Sequence, residues 1–67
     1  MRFTERETEV VALISRGLTN KEICRKLLIS EDTVKHYMTS ILLKSQRRNR
    51  TEIAVAYVMG DLEPSLH

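Results

Sequence analysis

Residues Thr19 to Lys44, TNKEICRKLLISEDTVKHYMTSILLK, constrain the fold more than any other part of this chain. They encode two helices joined by a connection so short that it must be a sharp corner. In the second helix Val34, Met38, Ile41 and Leu42 fall at i, i+4, i+7 and i+8, the spacing of one buried stripe. At about 100° per residue, Asp32, Lys35, His36, Thr39 and Ser40 then lie on the other side. A short helix, a corner and a second helix with small polar and basic groups outward is a shape that fits a DNA major groove. The pattern therefore points to double-stranded DNA as a partner.

Helix starts recur along the chain. Thr4-x-x-Glu7, Thr19-x-x-Glu22 and Asn49-x-x-Glu52 each place a capping side chain three residues before a Glu, the spacing of a capping box. Ser30 supplies a fourth start, followed by Glu31 and Asp32, acids that suit the positive end of a helix dipole. Gly17 and Gly60 stand where helices stop, with Pro64 soon after the second. Helices are expected at about 5–16, 20–27, 31–45 and 50–59. Alternating strand patterns and hairpin turn pairs are missing from the sequence. The expected fold is all-α, a four-helix bundle containing a helix-turn-helix, over residues 1–62, with 63–67 as a flexible C-terminal tail.

A chain of 67 residues makes one small domain, whose core must be shared by every helix. A hydrophobic content of 42% suffices for that core. The first helix offers Val10, Leu13 and Ile14, with Phe3 as a staple ahead of the cap. The second offers Ile23 and Leu27, with Cys24 small enough for a close approach, and Leu28 and Ile29 are expected to anchor the corner. In the last helix Ile53, Ala54 and Tyr57 form an inward stripe, which leaves Val55, Val58 and Met59 on another side. A helix apolar nearly all round is buried all round, so a homodimer through Val55, Val58 and Met59 is expected.

Net charge is only +2, but it is unevenly spread. Residues 1–18 balance, and residues 51–67 carry three acids and no base. Residues 19–50 hold eight basic groups against three acidic ones, a surplus of five. The surplus coincides with the helix-corner-helix stretch and its continuation, as a phosphate-facing surface requires.

Other function classes find little support. Cys24 is the only cysteine, so neither an internal disulfide nor a Cys-based metal site can form within one chain. His36 and His67 have no partner at metal-ligand spacing, and no nucleophile elbow or Gly-rich phosphate loop occurs. The reading is not an enzyme, with no metal, no cofactor and no small-molecule ligand in this domain. The longest apolar run, Ile53 to Met59, is far short of the roughly 20 residues that span a bilayer, and no secretion signal is visible. A cytoplasmic location without membrane association is expected.

With these residues laid out, the chain resembles the LuxR-type (GerE-like) helix-turn-helix domain of bacterial transcriptional regulators, from Phe3 to about Leu62. The opening FTERETEVVALISRGLTNKEI resembles that family's Leu-Thr-x-Arg-Glu start and Gly-Leu-Ser/Thr-Asn-Lys-Glu-Ile second-helix start. Ile29-Ser30-x-x-Thr33-Val34-Lys35 resembles the start of its recognition helix, and Arg50-Thr51-Glu52 that of its fourth. The resemblance implies base contacts by Lys35, His36 and Thr39, and phosphate contacts by Asn20, Lys21 and Thr33. Arg47 and Arg48 join the phosphate contacts on grounds of charge. The chain departs from the family at Ser45 and Arg47, where a Leu and an aliphatic residue usually tie the recognition helix to the last one. Tyr37 stands where the family often has His, and Cys24 where it has Ala.

Two other readings share these features. A sigma-factor-like promoter-reading domain also begins Thr-x-Arg-Glu and adds RNA polymerase as a partner, but generally finishes at the recognition helix. A protein-interaction module could keep the fold without DNA binding, and the neutral Thr39 is compatible with that. The start at Arg2-Phe3, just before the first cap, reads as the trimmed boundary of a response-regulator effector domain rather than as a stand-alone regulator.

Overall fold

The computed structural model describes residues 3–62, so the expected tail at 63–67 lies outside the described residues. Four helices follow one another: α1 Glu5–Ser15, α2 Asn20–Leu27, α3 Glu31–Ser45 and α4 Arg50–Val58. No strand occurs among the described residues. The expected segments agree to within one residue, the differences falling at the C-terminal ends of α1 and α4, where helices fray.

Each helix begins on the side chain that the sequence offers. Thr4 and Thr19 form complete capping boxes with Glu7 and Glu22. Ser30 Oγ accepts the Thr33 backbone N–H at 3.1 Å. The fourth start differs from the expected box. Asn49 Oδ1 accepts the Glu52 N–H, but the Glu52 carboxylate accepts the backbone N–H of Arg48 instead of that of Asn49. One residue of slippage still satisfies a backbone donor, so the cap keeps its purpose. Such caps typically contribute about 1 kcal/mol each, a real share of the stability of a chain this short.

Two of the stops are glycines in the left-handed region. Gly17 (φ +88°) lets the N–H of Leu18 reach Leu13 O, and Gly60 (φ +80°) lets that of Asp61 reach Ala56 O. These bonds turn the chain inward. Leu18 packs against the core and Leu62 is buried in it.

The core gathers Phe3, Val10, Val11, Leu13, Ile14, Ile23, Val34, Ile41, Ile53, Ala56 and Leu62. The apolar stripes thus converge as their spacing predicts, and Val11, Ala56 and Leu62 join them without having been marked by periodicity. Helix α1 is the hub, packing against each of the other three, while α2 packs on α3 and α3 on α4.

One core expectation fails. Leu28 ends α2 in the left-handed conformation (φ +59°) and is 89% exposed. A corner this tight needs one residue of that handedness, and its side chain is then thrown outward. Ile29 alone packs against the core from the corner.

Candidate nucleic-acid interface

Helix α3 divides as its periodicity requires, with one exception. Val34 and Ile41 are fully buried, Tyr37, Met38 and Leu42 pack partly against the core, and Asp32, Lys35, His36 and Thr39 are exposed. Ser40 is the exception. It turns toward α1, and its hydroxyl donates to Glu7 Oε2 at 2.6 Å. Lys44 Nζ donates to Glu7 Oε1 at 2.7 Å, and the Thr4 backbone N–H reaches the same oxygen at 2.8 Å.

Glu7 therefore closes a capping box and also clamps the recognition helix onto α1. It is nearly fully buried. Burial by itself pushes its carboxyl pKa up, but the hydrogen bonds from Lys44, Ser40 and Thr4, with the Lys44 charge, outweigh that and hold it at about 2. A sequence reading sees only the bond three residues away. The partners at 40 and 44 sit more than thirty residues on, and no local signal announces them.

The three residues assigned to base edges lie together on the outer face. Lys35 and His36 make no side-chain hydrogen bond among the described residues. The Thr39 hydroxyl donates to Lys35 O at 3.1 Å within its own helix. Its proton is thereby used, so Thr39 presents a methyl group and an acceptor outward.

The assigned phosphate contacts stand in different situations. Lys21 is exposed at the start of α2. Thr33 shares a 2.8 Å hydroxyl–hydroxyl bond with Ser30, so it completes the α3 cap. Asn20 is already engaged: the Arg50 guanidinium donates to Asn20 Oδ1 at 2.7 Å and to Leu18 O at 2.8 Å. This fork ties the first residue of α4 to the loop and first residue of α2, two helices that otherwise do not pack together. The Asn20 amide N–H groups have no partner among the described residues, and Arg50 sets the orientation of the side chain.

Arg47 and Arg48 lie beyond the C-terminal end of α3, while Lys35 is near its N-terminal end. The two groups are thus separated by most of the helix, roughly 15 Å or more. Arg48 pairs with Glu52 at 3.0 Å. Its backbone N–H, then its guanidinium, hold the Glu52 carboxyl below the usual range. Arg47 is half-buried, and its Nε has no hydrogen-bond partner among the described residues. Ser45, the other departure from the family pattern, folds its hydroxyl back onto Ile41 O at 2.7 Å. Neither change separates α3 from α4, which remain packed together.

Apart from the half-buried Arg47, the basic groups of residues 19–50 resolve into two kinds of charge. Lys44, Arg48 and Arg50 are spent on internal bonds. Lys21, Arg25, Lys26 and Lys35 are exposed and form no ion pair among the described residues. All four belong to α2 and α3. Arg25 and Lys26 were not singled out from the sequence, although the charge count included them.

A helix-turn-helix with a polar recognition face and free cations on both of its helices defines the class of DNA-binding regulatory domains. Comparison with known proteins agrees. Residues 1–57 match the family described as bacterial regulatory proteins, luxR family. The chain belongs to that family, and its domain is the DNA-binding, transcription-regulating helix-turn-helix that the family carries. It is 50% identical over 53 residues to the transcriptional regulatory protein LnrK of Bacillus subtilis, which covers 79% of this chain and 24% of that protein. The transcriptional regulatory protein LiaR of the same organism is 48% identical over 79% of this chain and 25% of its own length. The nitrate/nitrite response regulator protein NarL of Escherichia coli is 43% identical over 79% and 24%. The chain thus spans about a quarter of the length of these relatives. No helix among the described residues is long and apolar enough to cross a membrane.

Proposed function

We propose that this domain reads operator DNA with α3 in the major groove, as the effector part of a longer cytoplasmic response regulator. Lys35 donates to guanine O6 or N7, and His36 and Thr39 make hydrogen-bond or methyl contacts to neighbouring bases. Asn20, Lys21 and Thr33 hold the backbone, assisted by Arg25 and Lys26, and Arg47 reaches phosphates at the far end of α3, joined by Arg48 through the guanidinium nitrogen that its Glu52 pair leaves free. These contacts position the domain, while the base contacts specify sequence. The observation that carries the reading is that the face of α3 opposite Val34 and Ile41 holds exposed Lys35, His36 and Thr39, flanked by free cations.

The second part of the proposal is a homodimer through α4. Val55, Val58 and Met59 are 52%, 73% and 71% exposed, an apolar face that a second copy would cover. Two copies then address two half-sites, and RNA polymerase is a further partner at the promoter. Selection of binding sites from random DNA, followed by mobility shifts across a salt series, tests the reading. Lys35→Ala is expected to cost about 1–3 kcal/mol and relax base preference, whereas Lys21→Ala weakens all sequences alike. Binding that is absent at low salt refutes the proposal, and equal losses on all sequences for both variants refute the role of Lys35.

A further inference from the structure

The outward face of α3 holds a residue that the contacts above do not use. At about 100° per residue, Asp32 lies within roughly 20° of Thr39 and Leu43 around the helix, with Lys35 about 60° to one side and His36 about 40° to the other. Asp32 is therefore on the midline of the exposed face. It is about 160–180° from the buried Val34 and Ile41. It also sits in the first turn of α3, the end of a recognition helix that reaches base edges.

Its carboxylate is free. Asp32 is exposed and makes no hydrogen bond or ion pair among the described residues, not even with Lys35 one turn away. A negative charge on the face that also holds Lys35 opposes phosphate at that point. In the major groove the donors a carboxylate can accept from are amino groups, and the carboxylate pairing is with cytosine N4.

We infer that Asp32 is a specificity-determining residue, selecting cytosine at one position of each half-site and lowering affinity for unrelated DNA. The inference rests on the placement of α3 in the groove proposed above. A stabilising charge at a helix N-terminus is the simpler role for an acid here. Glu31 separates the two roles, since it has the same charge one residue earlier but points about 100° away around the helix.

Site selection with the unaltered protein, Asp32→Ala, Asp32→Asn and Glu31→Gln decides between them. The unaltered protein is expected to select cytosine at one position that Asp32→Ala relaxes by about tenfold, while every other position stays as it was. Asp32→Asn is expected to move that preference toward adenine, whose N6 and N7 suit an amide. Both Asp32 variants bind random DNA more tightly, and Glu31→Gln keeps the cytosine. Unchanged base preference in both Asp32 variants overturns the inference but leaves the α3 reading standing. A relaxation that Glu31→Gln reproduces assigns the effect to the helix end and also overturns it. If the unaltered protein selects no sequence, the α3 reading itself falls.

Discussion

Replacing Glu7 by Gln tests whether the clamp between α1 and the recognition helix stabilises the domain as its geometry implies. The Glu7 side chain is 5% exposed, and its carboxylate accepts from Lys44 Nζ, Ser40 Oγ and the Thr4 N–H at 2.6–2.8 Å. Its pKa falls from 4.5 to about 2 on folding. At about 1.4 kcal/mol per unit, that difference corresponds to about 3 kcal/mol of stability at neutral pH. A domain of this length has a total on the order of 3–10 kcal/mol, so the clamp is a large part of it. Because the folded-state pKa is depressed, this contribution is present above pH 4.5 and disappears as pH falls toward 2. Gln keeps the shape, but its single carbonyl oxygen replaces only one of the two acceptors that Thr4 and Ser40 use, and it leaves Lys44 without a counter-charge. Urea unfolding followed by circular dichroism at pH 7 should show Glu7→Gln about 3 kcal/mol less stable, and the gap should shrink to about 1 kcal/mol or less by about pH 2.5. Glu52, whose pKa is also lowered, is present in both proteins and cancels from the difference. A deficit below about 1 kcal/mol at pH 7, or equal acid losses in the two proteins, refutes the argument.

Leu28→Gly should stabilise the domain by about 0.5–1 kcal/mol, because it relieves a left-handed leucine and removes no buried surface. A lower midpoint in thermal unfolding would show instead that the exposed Leu28 makes a contact that matters. Val58→Glu should leave the monomer folded, since Val58 is 73% exposed, and should bring the sedimentation-equilibrium mass to the 7.8 kDa of one chain. An unchanged oligomer places the contact on another face.

Local chemistry alone carried much of this fold. Caps act over three residues and helical stripes over three or four, so Thr4, Thr19, Ser30 and Asn49 set the starts of the helices and the stripes named most of the core. The outward position of Lys35, His36 and Thr39 follows from the same periodicity, because a buried Val34 and Ile41 leave those residues only the opposite side. What tertiary structure decided involves partners far apart along the chain. Ser40 reads as outward until Glu7, 33 residues earlier, supplies an acceptor on the facing helix. Lys44 and Arg50 read as surface charge until Glu7, Asn20 and Leu18 are brought to them, which leaves the free cations on α2 and α3. Leu28 reads as core by its apolarity, but the handedness of the corner turns it outward. Spacing in sequence reports which side of a helix a residue takes, whereas the partner it meets there depends on how the helices pack.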